Sequence, residues 1–221
     1  MKKLLLSLLA LVFVSGLSAQ TFSFGARTTP MVSWSNVVST DDFEFTNDGA
    51  KIGFSIGPSL KTNLSKNFNI EVGFLFSWQG NKFNQFRADS IDYNYDIKRQ
   101  YLHIPVTANG NIPIHRYFDA VMSFGVMPSI QLSSIADITD NQTGGSVKLN
   151  YDMPGSYGNF YLIAGAGGLI HLTKEVDFAI GAKYNHGTID AWFDREKNTY
   201  IKELTEKHHF VSIDMGLYIK F

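Results

Sequence analysis

Phe68-Asn69-Ile70-Glu71-Val72-Gly73-Phe74-Leu75-Phe76-Ser77-Trp78 is the stretch that decides the fold. Its even positions are Phe68, Ile70, Val72, Phe74, Phe76 and Trp78; the odd positions between them are Asn69, Glu71, Gly73, Leu75 and Ser77. Successive side chains of a strand point to opposite faces. One face here is wholly apolar and the other mostly polar or small.

The same alternation returns four more times. Ile52, Phe54, Ile56, Pro58 and Leu60 share a face, with Lys51, Gly53, Ser55, Gly57, Ser59 and Lys61 opposite. Phe118 to Leu132, Val176 to Tyr184 and Val211 to Phe221 repeat the pattern, with Asp119, Asp177, Lys183, Asp214 and Lys220 on the polar face. Three weaker strands fall at Phe22 to Trp34, which carries Pro30, at about Tyr93 to Asn109, and at about Tyr157 to Leu172, where Ile163 and Leu169 blur the faces. The total is eight.

The links between them are unequal. Short ones fall near Asn63 to Asn67, Gly110 to Arg116 and Thr173 to Glu175; long polar ones fall near Ser35 to Ala50, Gly80 to Asp92, Ser133 to Ser156 and Gly187 to Lys207. Short and long alternate, as in outer-membrane barrels with tight periplasmic turns and longer external loops. Aromatics gather at both ends. Phe22, Phe24, Phe68, Tyr117, Phe118, Phe178 and Phe221 sit toward the short turns, and Trp34, Trp78, Tyr93, Tyr95 and Tyr184 toward the long loops. Two such sets match the girdles at two membrane interfaces.

A lipocalin-like soluble barrel has the same strand count but turns its apolar face inward. Phe, Trp and Ile on every strand would overfill an eight-stranded interior, which is just wide enough for side chains to fill. Small residues and charges of both signs suit it. The apolar face is therefore expected to face lipid, where closing the sheet leaves no unpaired backbone edge. Arg in place of Phe74 or Ile213 should disturb assembly, and Arg in place of Ser77 should be milder.

Composition agrees. The chain has 221 residues, 19 Lys and Arg against 20 Asp and Glu, and a net charge of −1, which indicates no nucleic-acid partner. It has no cysteine, so disulfides, thiolate metal sites, cysteine nucleophiles and lipoprotein processing are excluded. Hydrophobic residues reach 44%, ruling out a disordered chain, while a mean hydropathy of −0.05 argues against a bundle of membrane helices. Lys2 and Lys3, the apolar run Leu4 to Val14, and the small-residue end at Ser18-Ala19-Gln20 have the three-part layout of a secretory signal. Residues 1–19 are expected to be a cleaved signal peptide and residues 20–221 the barrel domain. The fold expected is all-β: an eight-stranded antiparallel up-and-down transmembrane β-barrel in the outer membrane of a Gram-negative bacterium.

The layout resembles the PorT-type outer-membrane β-barrel family of Bacteroidota across nearly the whole mature chain. The residues that carry the resemblance are Ser18-Ala19-Gln20, Tyr101-Leu102-His103-Ile104-Pro105, Gly125-Val126-Met127-Pro128-Ser129, Phe160-Tyr161-Leu162-Ile163-Ala164-Gly165-Ala166-Gly167 and the terminal Phe221. A Lys that the family often has shortly after the Ile-Pro pair is absent; Asn109 and Gly110 stand there. The family's namesake is tied to type IX protein secretion.

No residue is assigned a catalytic, cofactor-binding or metal role. Ser212, His208 and Asp190 could be imagined as a nucleophile, base and acid, but no spacing rule supports them. His103 and His171 share the polar phase of their strands. Asp41, Asp42, Glu44 and Asp48 lack the repeated spacing of a calcium loop. Gly165, Gly167 and Gly168 sit mid-strand with no helix following, so they read as close packing inside the barrel and not as a phosphate loop. The expected role is non-enzymatic: a monomer in outer-membrane lipid, acting through long external loops on envelope or secretion-system proteins. The alternatives are a narrow pore for small solutes, a component or assembly helper of a type IX-like secretion system, and a lipid-modifying enzyme.

Overall fold

The computed structural model describes residues 21–38, 44–86, 93–151, 158–188 and 205–221. The expected signal peptide lies outside them. Twelve strands follow in chain order: β1 Phe22–Val38, β2 Glu44–Asn47, β3 Lys51–Ser65, β4 Phe68–Gly73, β5 Leu75–Phe86, β6 Tyr93–His103, β7 Val106–His115, β8 Phe118–Asp140, β9 Ser146–Tyr151, β10 Gly158–His171, β11 Val176–Gly187 and β12 Thr205–Lys220.

They form eight staves, because β4 continues into β5 and β6 into β7, while β2 and β9 pair only with the far ends of β5 and β8 and are not staves of the ring. Ser59 faces Gly73 and Ile56 faces Phe76 in one unbroken register. His103 faces Ser129 and Val106 faces Val126 in another. The ladder lapses there beside proline. Pro58 and Pro105 have no N–H to give, but their carbonyls accept from Phe74 and Gly73 at 2.9 Å each. Gly57 is required at this lapse: a Cβ on it would lie 1.9 Å from the Phe74 carbonyl oxygen. Neighbouring staves are antiparallel throughout, and β1 pairs with β12 to close the ring. The fold is the expected eight-stranded antiparallel up-and-down barrel.

The faces are also as expected. Phe24, Phe54, Ile56, Phe74, Phe76, Trp78, Met122, Phe124, Ile213 and Leu217 are exposed on the outside, Phe74 at 50%. Ser23, Arg27, Ser55, Lys61, Asn69, Glu71, Ser123 and Asp214 are buried inside. A continuous apolar belt of this kind is unstable in water and stable in hydrocarbon. At its long-loop edge Phe54 stacks on Trp78 with ring centres 6.4 Å apart, and Trp34 on Tyr184 at 6.3 Å.

Two expectations need correction. The long connections hold more strand than the sequence suggested. β5 runs on to Phe86, and β8 reaches Asp140 before a turn returns it as β9, while β6 begins at Tyr93 as expected. β2 pairs with the far end of β5. A sheet thus rises beyond the Trp78 level. Where it leaves the belt, Gln100 faces Ser133 while Tyr101 faces Gln131, so Leu132 is one residue extra in β8. This β-bulge reverses which phase of β8 points inward. Ser129 and Gln131 are buried below it, Ser134 and Ala136 above it. In the fourth, β11 ends at Gly187 and β12 already begins at Thr205, and residues 189–204 lie outside the described residues. The second correction concerns Ser77. It is 1% exposed, with its Oγ 3.2 Å from that of Ser55. An Arg there would overpack a full interior, so it is no milder than one facing lipid.

Candidate functional site

The lumen is filled in layers, each held by residues in the inward phase of several staves. Nearest the short-turn end, His171 on β10 reaches Asp119 on β8 at 3.3 Å and Asp177 on β11 at 2.8 Å. Lys220 on β12 lies 2.7 Å from the same Asp177. These side chains rim an open mouth of about 330 Å³.

The next layer is ionic. Arg27 on β1 donates to Glu71 on β4 at 3.2 Å and to Asp214 on β12. Lys183 on β11 meets Asp214 at 2.7 Å, and the Tyr218 hydroxyl donates to Glu71 at 2.7 Å. Pairing is what makes these charges tolerable, since an isolated buried charge is prohibitively costly. Gly167 faces Gly181 across β10 and β11. A Cβ on Gly167 would lie 2.3 Å from the Ile180 carbonyl oxygen. The glycines admit the close strand approach expected of them.

The middle of the lumen is aromatic. Met31, Met127, Tyr161, Ile163 and Phe210 form one buried cluster. Tyr161 and Phe210 meet edge-on at 5.2 Å, and His103 lies between Tyr101 at 5.5 Å and Phe210 at 6.1 Å. One nitrogen of each buried histidine is tied off inside the layer. His208 Nδ1 lies 3.0 Å from the Tyr161 hydroxyl, and His103 Nδ1 lies 2.6 Å from Ser129 Oγ.

Above it, Arg99 on β6 grips Glu206 on β12 with two hydrogen bonds, of 3.0 and 2.7 Å. Such a bidentate fork is a strong form of ion pair. Ser35 donates to Glu206 at 2.5 Å, and Asn81 accepts from Arg99 at 3.2 Å. The rising sheet caps this layer with its own apolar cluster of Phe83, Ile97 and Ala136, against which Val37, Phe45, Tyr95 and Ile138 pack.

The imagined nucleophile set does not assemble. His208 is bonded to Tyr161, whereas Ser212 meets Asn185 and Asp214 at 3.4 Å each. Asp190 lies outside the described residues. His103 and Ser129 do touch, but they are sealed beneath Tyr101 and Phe210 where no substrate reaches. Asp41 and Asp42 also lie outside the described residues; Glu44 begins β2, and Asp48 accepts from Asn94 at 2.9 Å. Among the described residues no three His, Asp or Glu side chains are grouped to hold a metal ion.

Sequence reasoning named His103, Glu71, Asp214 and Lys183 as lumen residues but passed over Arg27, Arg99 and Glu206. The signal was present. Arg27 is in phase with Ser23 and Gly25, and Glu206 with His208, Ser212 and Asp214.

No curated protein matches the chain. Among solved structures, Neisserial surface protein A (NspA) is similar in fold, with a TM-score of 0.50 and 15% identity over 90% of this chain and 97% of that one. OprG, an outer membrane protein from Pseudomonas aeruginosa, aligns with a TM-score of 0.48 and 11% identity over 91% of this chain and 95% of that one. Residues 5–205 match the outer membrane protein β-barrel domain. A closed barrel with a lipid-ready belt, a packed interior and that match place the chain in the Gram-negative outer membrane, as a member of the outer membrane protein β-barrel domain family.

Proposed function

We propose that this protein is a PorT-type barrel of Bacteroidota, exported behind the signal peptide of residues 1–19, with a closed lumen and no enzymatic activity of its own. It works as a monomer that anchors the rising sheet of β5, β6, β8 and β9 outside the membrane, where envelope or secretion-system proteins meet it. One observation carries the closed lumen. Met31, Tyr101, His103, Met127, Tyr161 and Phe210, each no more than 3% exposed, close the barrel at mid-height. Ions need a continuous water path, and a layer of side chains packed in contact offers none. The narrow-pore alternative requires this layer to move aside.

Planar-bilayer recording of the purified protein tests the proposal. The expected result is no stable channel. Large, long-lived openings would overturn the closed lumen and favour the pore.

A further inference from the structure

The short-turn half of the lumen encloses a cavity of about 50 Å³ lined by Arg27, Lys61, Lys183, Glu71 and Asp214, among others. Three of these are cations and two are carboxylates. Arg27 meets both carboxylates and Lys183 meets Asp214. Lys61 is left over. It is 6% exposed, and its ammonium sits 3.9 Å from the centre of the Tyr218 ring. Among the described residues no carboxylate lies within ion-pair distance of it, although Glu71 faces it across the β3–β4 ladder. An ammonium carries three donors and no acceptor. A ring face offsets part of the lost hydration, but it does not take those hydrogens.

The asparagines on the cavity wall have the same imbalance. Ser123 donates to Asn109, Asn109 to Asn69, and Asn69 to Asn111, at 2.7, 2.8 and 3.1 Å. Every amide oxygen in this relay is engaged. Each amide nitrogen has two hydrogens and each amide oxygen two lone pairs, so these three bonds leave four N–H donors against three acceptor sites. A cavity with one cation in excess and spare N–H groups on its wall suits a negative guest.

We propose that this cavity binds one small inorganic anion of chloride size, held by Lys61 and the amide side chains of Asn69, Asn109 and Asn111. The volume decides the class. About 10–15 Å³ of such space admits a water, so 50 Å³ takes a monatomic ion with water beside it. Sites for organic ligands are roughly 300–1,000 Å³. The ion arrives from the short-turn mouth, which shares Asn111 and Leu169 with the cavity.

The test uses the full protein in detergent micelles, with thermal unfolding compared in sodium chloride and in sodium gluconate at equal ionic strength. Chloride at ten times its dissociation constant should shift the unfolding equilibrium about tenfold toward the folded state. Lys61→Met should lose that difference. Identical curves in the two salts for the unsubstituted protein would overturn the site, as would a Lys61→Met protein that keeps the full difference. Should Lys61→Met fail to fold, crystals of the unsubstituted protein grown in bromide decide the matter. An anomalous peak beside the Lys61 ammonium supports the site, and water alone in the cavity refutes it.

Discussion

The membrane belt and the sheet that rises from it are made of the same strands with opposite chemistry. In the belt, β5 points Phe76 and Trp78 outward and Ser77 inward. Four residues beyond Trp78 the pattern inverts: Lys82 is on the outer face and Phe83, 1% exposed, on the inner. β6 inverts at the same height, with Leu102 outside and His103 inside below, then Lys98 outside and Ile97 inside above. β8 adds its bulge, after which Ala136 is inside and Asp137 outside. Between β5 and β6 the pairing is continuous through the change. Strand geometry therefore does not decide which face is greasy; the surrounding solvent does. Hydrocarbon takes the apolar side chains in one zone, and in the other water drives them together.

Three substitutions probe this inversion, in decreasing order of effect. Phe83→Ala removes the centre of the upper cluster and should cost about 3–5 kcal/mol, the usual range for a buried aromatic. Protease should then cut the rising sheet while the belt persists in micelles. Coincident loss of both would mean the two zones are one cooperative unit. Phe74→Arg places a charge against lipid and should cost about 2–4 kcal/mol near the bilayer midplane. Urea titration of folding into lipid vesicles measures it, and a cost near zero would place Phe74 outside hydrocarbon. The smallest effect is one of pH. Lys98 donates to Asp137 at 3.0 Å on the outer face of the rising sheet and holds that carboxyl below its ordinary value. A depressed carboxyl contributes its stability above the unfolded value, about 3.9, and loses it as pH falls through the folded value. Amide exchange at the far ends of β6 and β8 should therefore quicken only below about pH 4, and Lys98→Ala should remove that acid step. Because both groups are exposed, the change is small.

The belt was legible in the sequence because its rule is period two with apolar residues in a constant phase. Phe68 to Trp78 announces it without help. The rising sheet was not legible by that rule. At Lys82 and Asn84 the apolar phase turns polar, which reads as a loop, although Phe83 in the other phase keeps the strand alive. In β8 the extra residue Leu132 shifts the phase, so alternation seems to end where it only changes sides. The lumen was half legible. Inward phase identified Glu71, Lys183 and Asp214, but which charge meets which depends on stagger between staves distant in sequence. Arg27 and Asp214 are 187 residues apart. The surplus cation, Lys61, emerges only when the pairs are drawn.

The seam between β1 and β12 has a temporal meaning. Phe22 accepts a hydrogen bond at 2.8 Å from the amide of Phe221, so the earliest stave synthesised finds its second neighbour only in the latest. Until β12 has left the ribosome and crossed the inner membrane, every intermediate has two raw edges and a greasy flank with no lipid to cover it. Such a chain gains its full stability only where the ring can close and hydrocarbon receives the belt.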